Sequence, residues 1–438
     1  MALVDQVKGA GVVGAGGGGF PTHVKLGAKA DTVIANGAEC EPLLHKDAAI
    51  MEREAQIVLA GMLLAMEAVG AKEGIVGVKA KKQHAVEAME AACTGTPVRV
   101  QLIGDYYPAG DEFDLVYETT GRLIPPGGIP IAVGVVVCNV ETFANIARAA
   151  ADVPVTRKTI TIAGAVKEPI TLAVPVGTPF RAAIDAAGGL ATDDPVLLVG
   201  GLMMGTTTDD LDTPVTKTTT GAVILPRSHH VVERKLKPAE RQARIGKSAC
   251  DQCRYCTELC PRYLLGYAVE PHQVMRGLVF TATGADQWNP WAALCCACGL
   301  CTLYSCPEDL YPKEACDASK AEMRKAGIRW TGPERVTPHP IRDGRHVPIA
   351  ALVRKLAVDA YDVPAPWTER AVKVDKVVLP LRQGAGAANE PLVKPGDRVA
   401  EGQQIGRIPD GALGAVIHAP FAGTVVELSD RIVVKRDA

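Results

Sequence analysis

Eight of the 13 cysteines fall into two short runs. The first reads Cys250-x2-Cys253-x2-Cys256-x3-Cys260-Pro261, and the second Cys295-x2-Cys298-x2-Cys301-x4-Cys306-Pro307. Three thiolates at two-residue gaps fit one tight loop and can each take one iron of a cube. The remaining iron is reached by a thiolate from the other run. On that pattern Cys250, Cys253, Cys256 and Cys306 hold one [4Fe–4S] cluster, and Cys295, Cys298, Cys301 and Cys260 hold a second. Pro261 and Pro307 lack a backbone donor and favour a turn after each far ligand. Zinc, disulfides and buried free thiols are the competing readings. Zinc prefers two separated Cys-x2-Cys pairs, whereas each run here has three ligands and a fourth before proline. Disulfides need export, and no secretory signal is read at the N-terminus. The second run departs from the regular repeat in having four residues before Cys306, and Cys296 is an extra thiol expected to be a bystander. A chain built around such a pair moves electrons singly.

The 438 residues suggest about three domains at roughly 150 residues each. Apolar residues make up 47%, enough for several cores, while 44 Gly, 31 Pro and only 4% aromatics point to a loop-rich, small-residue architecture. The net charge of −2 gives no electrostatic case for nucleic acid. Cys40, Cys93, Cys138, Cys296 and Cys316 are scattered, as expected in a reducing cytoplasm. The most apolar stretch, 57–69, is broken by Glu67 and is too short to span a bilayer. It reads as a buried helix, and no transmembrane segment is expected.

Residues 14–25 read Gly-Ala-Gly-Gly-Gly-Gly-Phe-Pro-Thr-His-Val-Lys. Such a loop lets backbone amides approach a phosphate or a flat cofactor, and Lys25 can add positive charge; a flexible surface loop is the plainer alternative. Residues 31–36 form an expected buried strand that ends at Asn36-Gly37-Ala38-Glu39-Cys40-Glu41-Pro42. Polar groups at the C-terminal end of a strand occupy the usual ligand edge of an α/β sheet. Residues 131–137 read as a second continuous apolar strand, followed by Cys138-Asn139-Val140-Glu141-Thr142 and an apolar helix. Asn139 and Thr142 suit an anion at that helix's N-terminus, and an ordinary helix cap is the alternative for Asn139. Tyr106, Tyr107 and Tyr117 are expected in the core or near a flat cofactor.

Together these three motifs resemble the flavin-binding domain of the complex I flavoprotein subunit, and more closely the RnfC and PduS cobalamin reductase families. The resemblance implies that Gly16, Gly17, Gly19 and Lys25 lie along FMN and its phosphate, and that Asn36, Asn139 and Thr142 contact the flavin. It gives Glu39 and Glu41 the catalytic positions near the flavin and nicotinamide. Ala15 stands where the complex I subunit has an arginine and Ala38 where it has an acid, departures that bear on NADH rather than on FMN.

The expected fold is a multidomain α/β chain. Residues 1–154 form a Rossmann-like domain for FMN and NADH, and 155–228 a β-grasp (SLBB) domain resembling the one that follows the flavin domain in these families. Residues 240–326 carry the helical two-cluster ferredoxin module, 327–376 a linker with a helix, and 377–438 resemble a barrel-sandwich hybrid. Lipoyl and biotinyl carriers need a lysine at an exposed hairpin tip, and Pro409-Asp410-Gly411-Ala412 offers none. Met203-Met204 reads as core filling. The gap before the second run, with Trp288-Asn289-Pro290-Trp291, reads as an inserted helical segment.

FMN takes two electrons from NADH, and each cluster takes one. The barrel-like segment follows the flavin domain, as in the PduS family, whereas RnfC proteins carry it first. That resemblance implies reduction of cob(III)alamin towards cob(I)alamin, handed to a cobalamin adenosyltransferase for propanediol utilisation within a bacterial microcompartment. Two alternatives stand beside it: an RnfC-type subunit of a membrane complex, and a non-enzymatic electron-wire or docking subunit.

Overall fold

The computed structural model describes residues 2–280 and 289–437, so Trp288 of the inserted segment lies outside the described residues. Its first unit is a parallel sheet in the order Val98–Ile103, Glu73–Lys79, Thr32–Gly37, Val135–Asn139. Side chains alternate across a strand, so Val33 and Ala35 enter one core while Ile34 enters another. Both faces are therefore covered, as parallel sheets require. The helices Lys46–Val69 and Val140–Ala150 cover the first face. They pack so closely that a Cβ at Gly61 would lie 1.8 Å from the carbonyl oxygen of Phe143, which only glycine tolerates. The Glu112–Thr120 helix covers the second face.

The apolar run 131–137 is not one continuous strand. Pro130–Val133 forms a 3-10 turn, Gly134 reverses the chain at φ +74°, and the strand starts at Val135. Proline at the first position of that turn has its φ already set, and it favours a tight turn over a sheet position.

A five-stranded mixed sheet follows, ordered Ile170–Pro175, Arg157–Gly164, Gly221–Pro226, Pro195–Val199, Thr206–Thr208, with the helix Phe180–Ala186 on one face. Helices His230–Leu236 and Ala239–Ala249, parted by Pro238, lead into a helical module containing Pro271–Phe280 and Pro312–Lys325. The chain then returns to the first unit, pairing Val347–Pro348 with Tyr106–Tyr107. The C-terminal part sandwiches one core between a four-stranded and a three-stranded sheet. No helix among the described residues is long and apolar enough to cross a membrane.

Candidate functional site

Both cysteine runs fold into the same backbone shape. Gln252 and Arg254 take left-handed φ values of 61° and 71°, and Ala297 and Gly299, at the matching positions of the second run, take 57° and 82°. Alternation of this kind turns successive N–H groups inwards and makes an anion-binding concavity. The sulfurs receive such groups: Ala297 N donates to Cys295 Sγ at 3.3 Å, and Leu310 N to Cys306 Sγ at 3.4 Å. Gln252 Nε2 donates to Cys250 Sγ at 3.1 Å. Cys250, Cys253, Cys256 and Cys306 line one small cavity together with His272. Cys260, Cys295, Cys298 and Cys301 perturb one another electrostatically, and burial, with help from its neighbours, pushes the Cys301 thiol up. Eight thiols, several of them met by N–H donors, fit two anionic cubes, whose potentials depend on hydrogen bonds to the sulfurs.

The extra residue before Cys306 is absorbed locally. Cys301–Ser305 is a π-helical turn, which carries one residue more than an α-turn over the same path, and Ser305 Oγ closes it onto Leu300 O at 3.1 Å. Cys306 is thereby delivered to the first-run loop despite the longer spacing. Cys296 falls at the position of Asp251 in the repeated backbone shape, while Cys295 matches Cys250.

The flavin-motif residues gather at the C-terminal edge of the parallel sheet. Asn36 and Asn139 are register partners on neighbouring strands, flanking the point where strand order reverses, the usual crevice of such sheets. Asn36 Nδ2 donates to Gly110 O at 2.9 Å. Asn139 caps the Val140–Ala150 helix by accepting from Glu141 N at 3.1 Å, and its Nδ2 donates to Asp47 Oδ2 at 2.9 Å. The glycine loop lies above. Thr142 Oγ1 accepts from Ala15 N at 3.0 Å, and Lys158 Nζ donates to Ala15 O at 2.8 Å. A Cβ at Gly16 would press on Asn139 at 3.3 Å, a Cβ at Gly19 would sit 2.7 Å from Thr218, and one at Gly17 would meet nothing within 4 Å. The loop therefore presents bare backbone at its tip while its base is clamped, a fit to a phosphate or flat ring. Lys25 Nζ donates to Val137 O at 2.7 Å and pairs with Glu112 at 3.3 Å.

The two carboxylates of the second motif part company. Glu41 is taken up by the neighbouring sheet, accepting from Met203 N at 2.9 Å and Met204 N at 2.7 Å. This leaves Met203 buried and Met204 exposed at the loop tip. Glu39 stays in the crevice, accepting from Asp47 N at 3.1 Å. Burial, reinforced by the Asp47 charge, pushes its carboxyl up to about 8.

Beneath the loop lies a buried ion network that the motifs did not announce. Glu141 pairs with Lys158, and with Lys46 at 3.2 Å, while Lys46 also pairs with Asp47. Lys46 and Lys158 are 0% and 1% exposed, so neither has water to fall back on. Burial opposes the Lys46 charge, but Asp47, Glu141 and Glu39 outweigh it and raise its pKa. Single charges in apolar runs look like surface residues in a sequence; only their convergence marks them. Tyr107 was equally unannounced in its role. Its Oη donates to Cys298 O at 2.6 Å, joining the Tyr106–Tyr107 strand of the flavin-side unit to the second cysteine loop.

Residues 7–148 match the Nuo51 FMN-binding domain, 159–207 the SLBB domain, 249–311 a 4Fe-4S dicluster domain and 368–438 the RnfC barrel sandwich hybrid domain. The chain is 41% identical over 433 residues to the cobalamin reductase PduS of Citrobacter freundii, spanning 98% of this chain and 95% of that protein. It belongs to the PduS cobalamin reductase family. The Salmonella typhimurium member is 40% identical over the same shares of each chain. A component of the Na(+)-translocating ferredoxin:NAD(+) oxidoreductase complex of Acetobacterium woodii is 38% identical over 60% of this chain and 58% of that protein. Like its family, the chain is a flavin and iron–sulfur oxidoreductase, with an FMN-binding domain and a two-cluster [4Fe–4S] domain.

Proposed function

We propose that this chain takes two electrons from NADH and passes them singly through its clusters to cobalamin, reducing cob(III)alamin towards cob(I)alamin. The observation that carries the reading is the Tyr107–Cys298 seam, at 2.6 Å, between the flavin-side unit and a cluster loop. It makes the second cluster the neighbour of the flavin site, and the first cluster, with exposed Cys253, the outlet. The finer fold reading goes with it: a Rossmann-like flavin unit, a β-grasp unit, a ferredoxin-type helical module and a barrel-sandwich hybrid.

FMN, when bound, converts a two-electron donor to one-electron acceptors. The chain's own residues do the rest. Gly16, Gly17 and Gly19 admit the cofactor to bare backbone, and Thr142 holds the loop's shape through Ala15 N. Lys25 supplies positive charge, and Asn36 and Asn139 shape the crevice floor against the flavin, their amides held by Gly110 O and Asp47. Glu39 holds a proton beside the flavin edge, whereas Glu41 fixes the Met203–Met204 loop. Cys250, Cys253, Cys256 and Cys306 ligate the first cluster; Cys260, Cys295, Cys298 and Cys301 ligate the second. The acceptor follows the relatives' name, and the setting follows the family resemblance. Cobalamin leaves reduced for a cobalamin adenosyltransferase, in the cytoplasm within a microcompartment that serves propanediol utilisation.

The test is anaerobic addition of NADH to the full chain loaded with FMN and clusters, then hydroxocobalamin. Bleaching of the flavin band followed by the cob(II)alamin and cob(I)alamin spectra is expected. An unbleached flavin sinks the NADH donor. Bleaching without cobalamin reduction sinks the acceptor and favours the role of the ferredoxin:NAD(+) oxidoreductase relative.

A further inference from the structure

The two cysteine loops are near-copies in backbone, yet they differ in charge, and the difference after each fourth cysteine is the one that lies deepest. Each fourth cysteine is followed by proline and then a charged residue: Cys260-Pro261-Arg262 in the first run, Cys306-Pro307-Glu308 in the second. Glu308 is exposed, whereas Arg262 is only 7% exposed. Arg262 Nη2 donates to Asp111 Oδ2 at 3.0 Å, and its guanidinium carbon lies 3.6 Å from the Phe113 ring centroid. Its Nε and Nη1 are buried and meet no oxygen or nitrogen acceptor, and the Cys296 thiol stands beside the guanidinium. A buried cation with unspent donors is costly unless an anion stands beside it. Asp111 is partly committed elsewhere, because its Oδ1 caps the Glu112–Thr120 helix by accepting from Phe113 N and Asp114 N.

The other neighbours of Arg262 include the Tyr267 ring and the thiol of Cys296, which adjoins the ligand Cys295. With Cys295, Cys296, Lys320, Phe113 and Tyr267 it lines a cavity of about 190 Å³ at the join between the flavin-side unit and the second cysteine loop. Lys320 also contributes there, donating to Cys295 O at 2.6 Å.

We propose that Arg262 sets the reduction potential of the second cluster: its fixed charge stabilises the more negative, reduced form and raises that cluster's midpoint relative to the first. This rests on the ligand assignment given above. A guanidinium keeps its proton at any working pH, and at 7% exposure its field is less screened than that of a surface charge. The matched carboxylate beside the first cluster faces water and exerts little field. The asymmetry makes the cluster nearest the flavin site the first sink for its electrons, and Asp111 ties that tuning to the flavin-side unit.

The test is an EPR-monitored redox titration of the full chain, loaded anaerobically, with iron and sulfide measured on every sample. Clusters are assigned from Cys253→Ala and Cys298→Ala. Arg262→Gln is expected to lower the second cluster's reduction constant about tenfold, ~59 mV for one electron, with a much smaller change at the first. Arg262→Lys should stay near wild type. Asp111→Asn, which keeps the capping oxygen but removes the countercharge, should move the second midpoint upward. A fully loaded Arg262→Gln protein with an unmoved midpoint overturns the proposal. Should that variant fail to load, an unmoved midpoint in loaded Asp111→Asn overturns it instead. Wild-type protein with fewer than two clusters would fault the ligand assignment, not Arg262.

Discussion

The cysteine loops and the flavin-motif edge are built by opposite means. Each loop is a local object: spacing, two left-handed residues and inward N–H groups lie within a few positions of one another. Only the exchanged fourth ligand comes from afar. At the sheet edge nearly every decisive contact joins distant residues, as Lys158 to Ala15, Glu141 to Lys46, and Glu41 to Met203 show. A local motif can be copied within a chain and survive an inserted residue, as the π-turn before Cys306 does. A site made of buried charges from three elements tolerates neither.

The largest effect that would break this contrast is at the cysteines. Cys253→Ala and Cys298→Ala should each remove one cluster outright and leave FMN bound, read by iron content, EPR and flavin absorbance. Loss of flavin from either variant would mean that the two regions are not separable.

Next comes the ion network. Glu141→Gln leaves Lys46 and Lys158 buried with one partner fewer, which should cost about 3–5 kcal/mol. A drop in the urea midpoint of the loaded chain, with early loss of FMN and later loss of clusters, is the expected result. Equal loss of both cofactors would erase the distinction.

The pH dependence sharpens it further. Glu39 is raised from an ordinary 4.5 to about 8, chiefly by burial and then by Asp47. The folded chain therefore holds this proton where the unfolded chain has released it, so stability falls as pH rises from about 4.5 to 8. Glu39→Gln should flatten that part of the stability profile, measured by denaturation across pH, and an unchanged slope would remove Glu39 as its source.

The smallest effect belongs to the seam itself. Tyr107→Phe deletes one buried hydrogen bond to Cys298 O, at about 1 kcal/mol. Cofactor content should be unchanged and the unfolding midpoint slightly lower.

Much of this architecture was legible beforehand. The spacing of Cys250 to Cys306 announced two clusters, and the order of glycine loop, strand end and Asn-x-x-Thr announced a flavin-type sheet edge. The apolar run through Ile131 misled, because hydrophobicity does not distinguish a 3-10 turn from a strand and Pro130 with Gly134 had to be weighed as turn formers. Spacing also could not say how a fourth ligand one residue late would reach its cluster.

The sequence by itself determined the electron-carrying chemistry, since metal-ligand spacing acts over a few residues and is written consecutively. Only the tertiary structure decided which carboxylate stays in the crevice, which lysines lose their water beneath the glycine loop, and which of two similar cluster loops receives a buried arginine. Those outcomes depend on burial and on charges meeting across more than a hundred positions, and a desolvated ion pair exists only once the elements that carry its halves have packed.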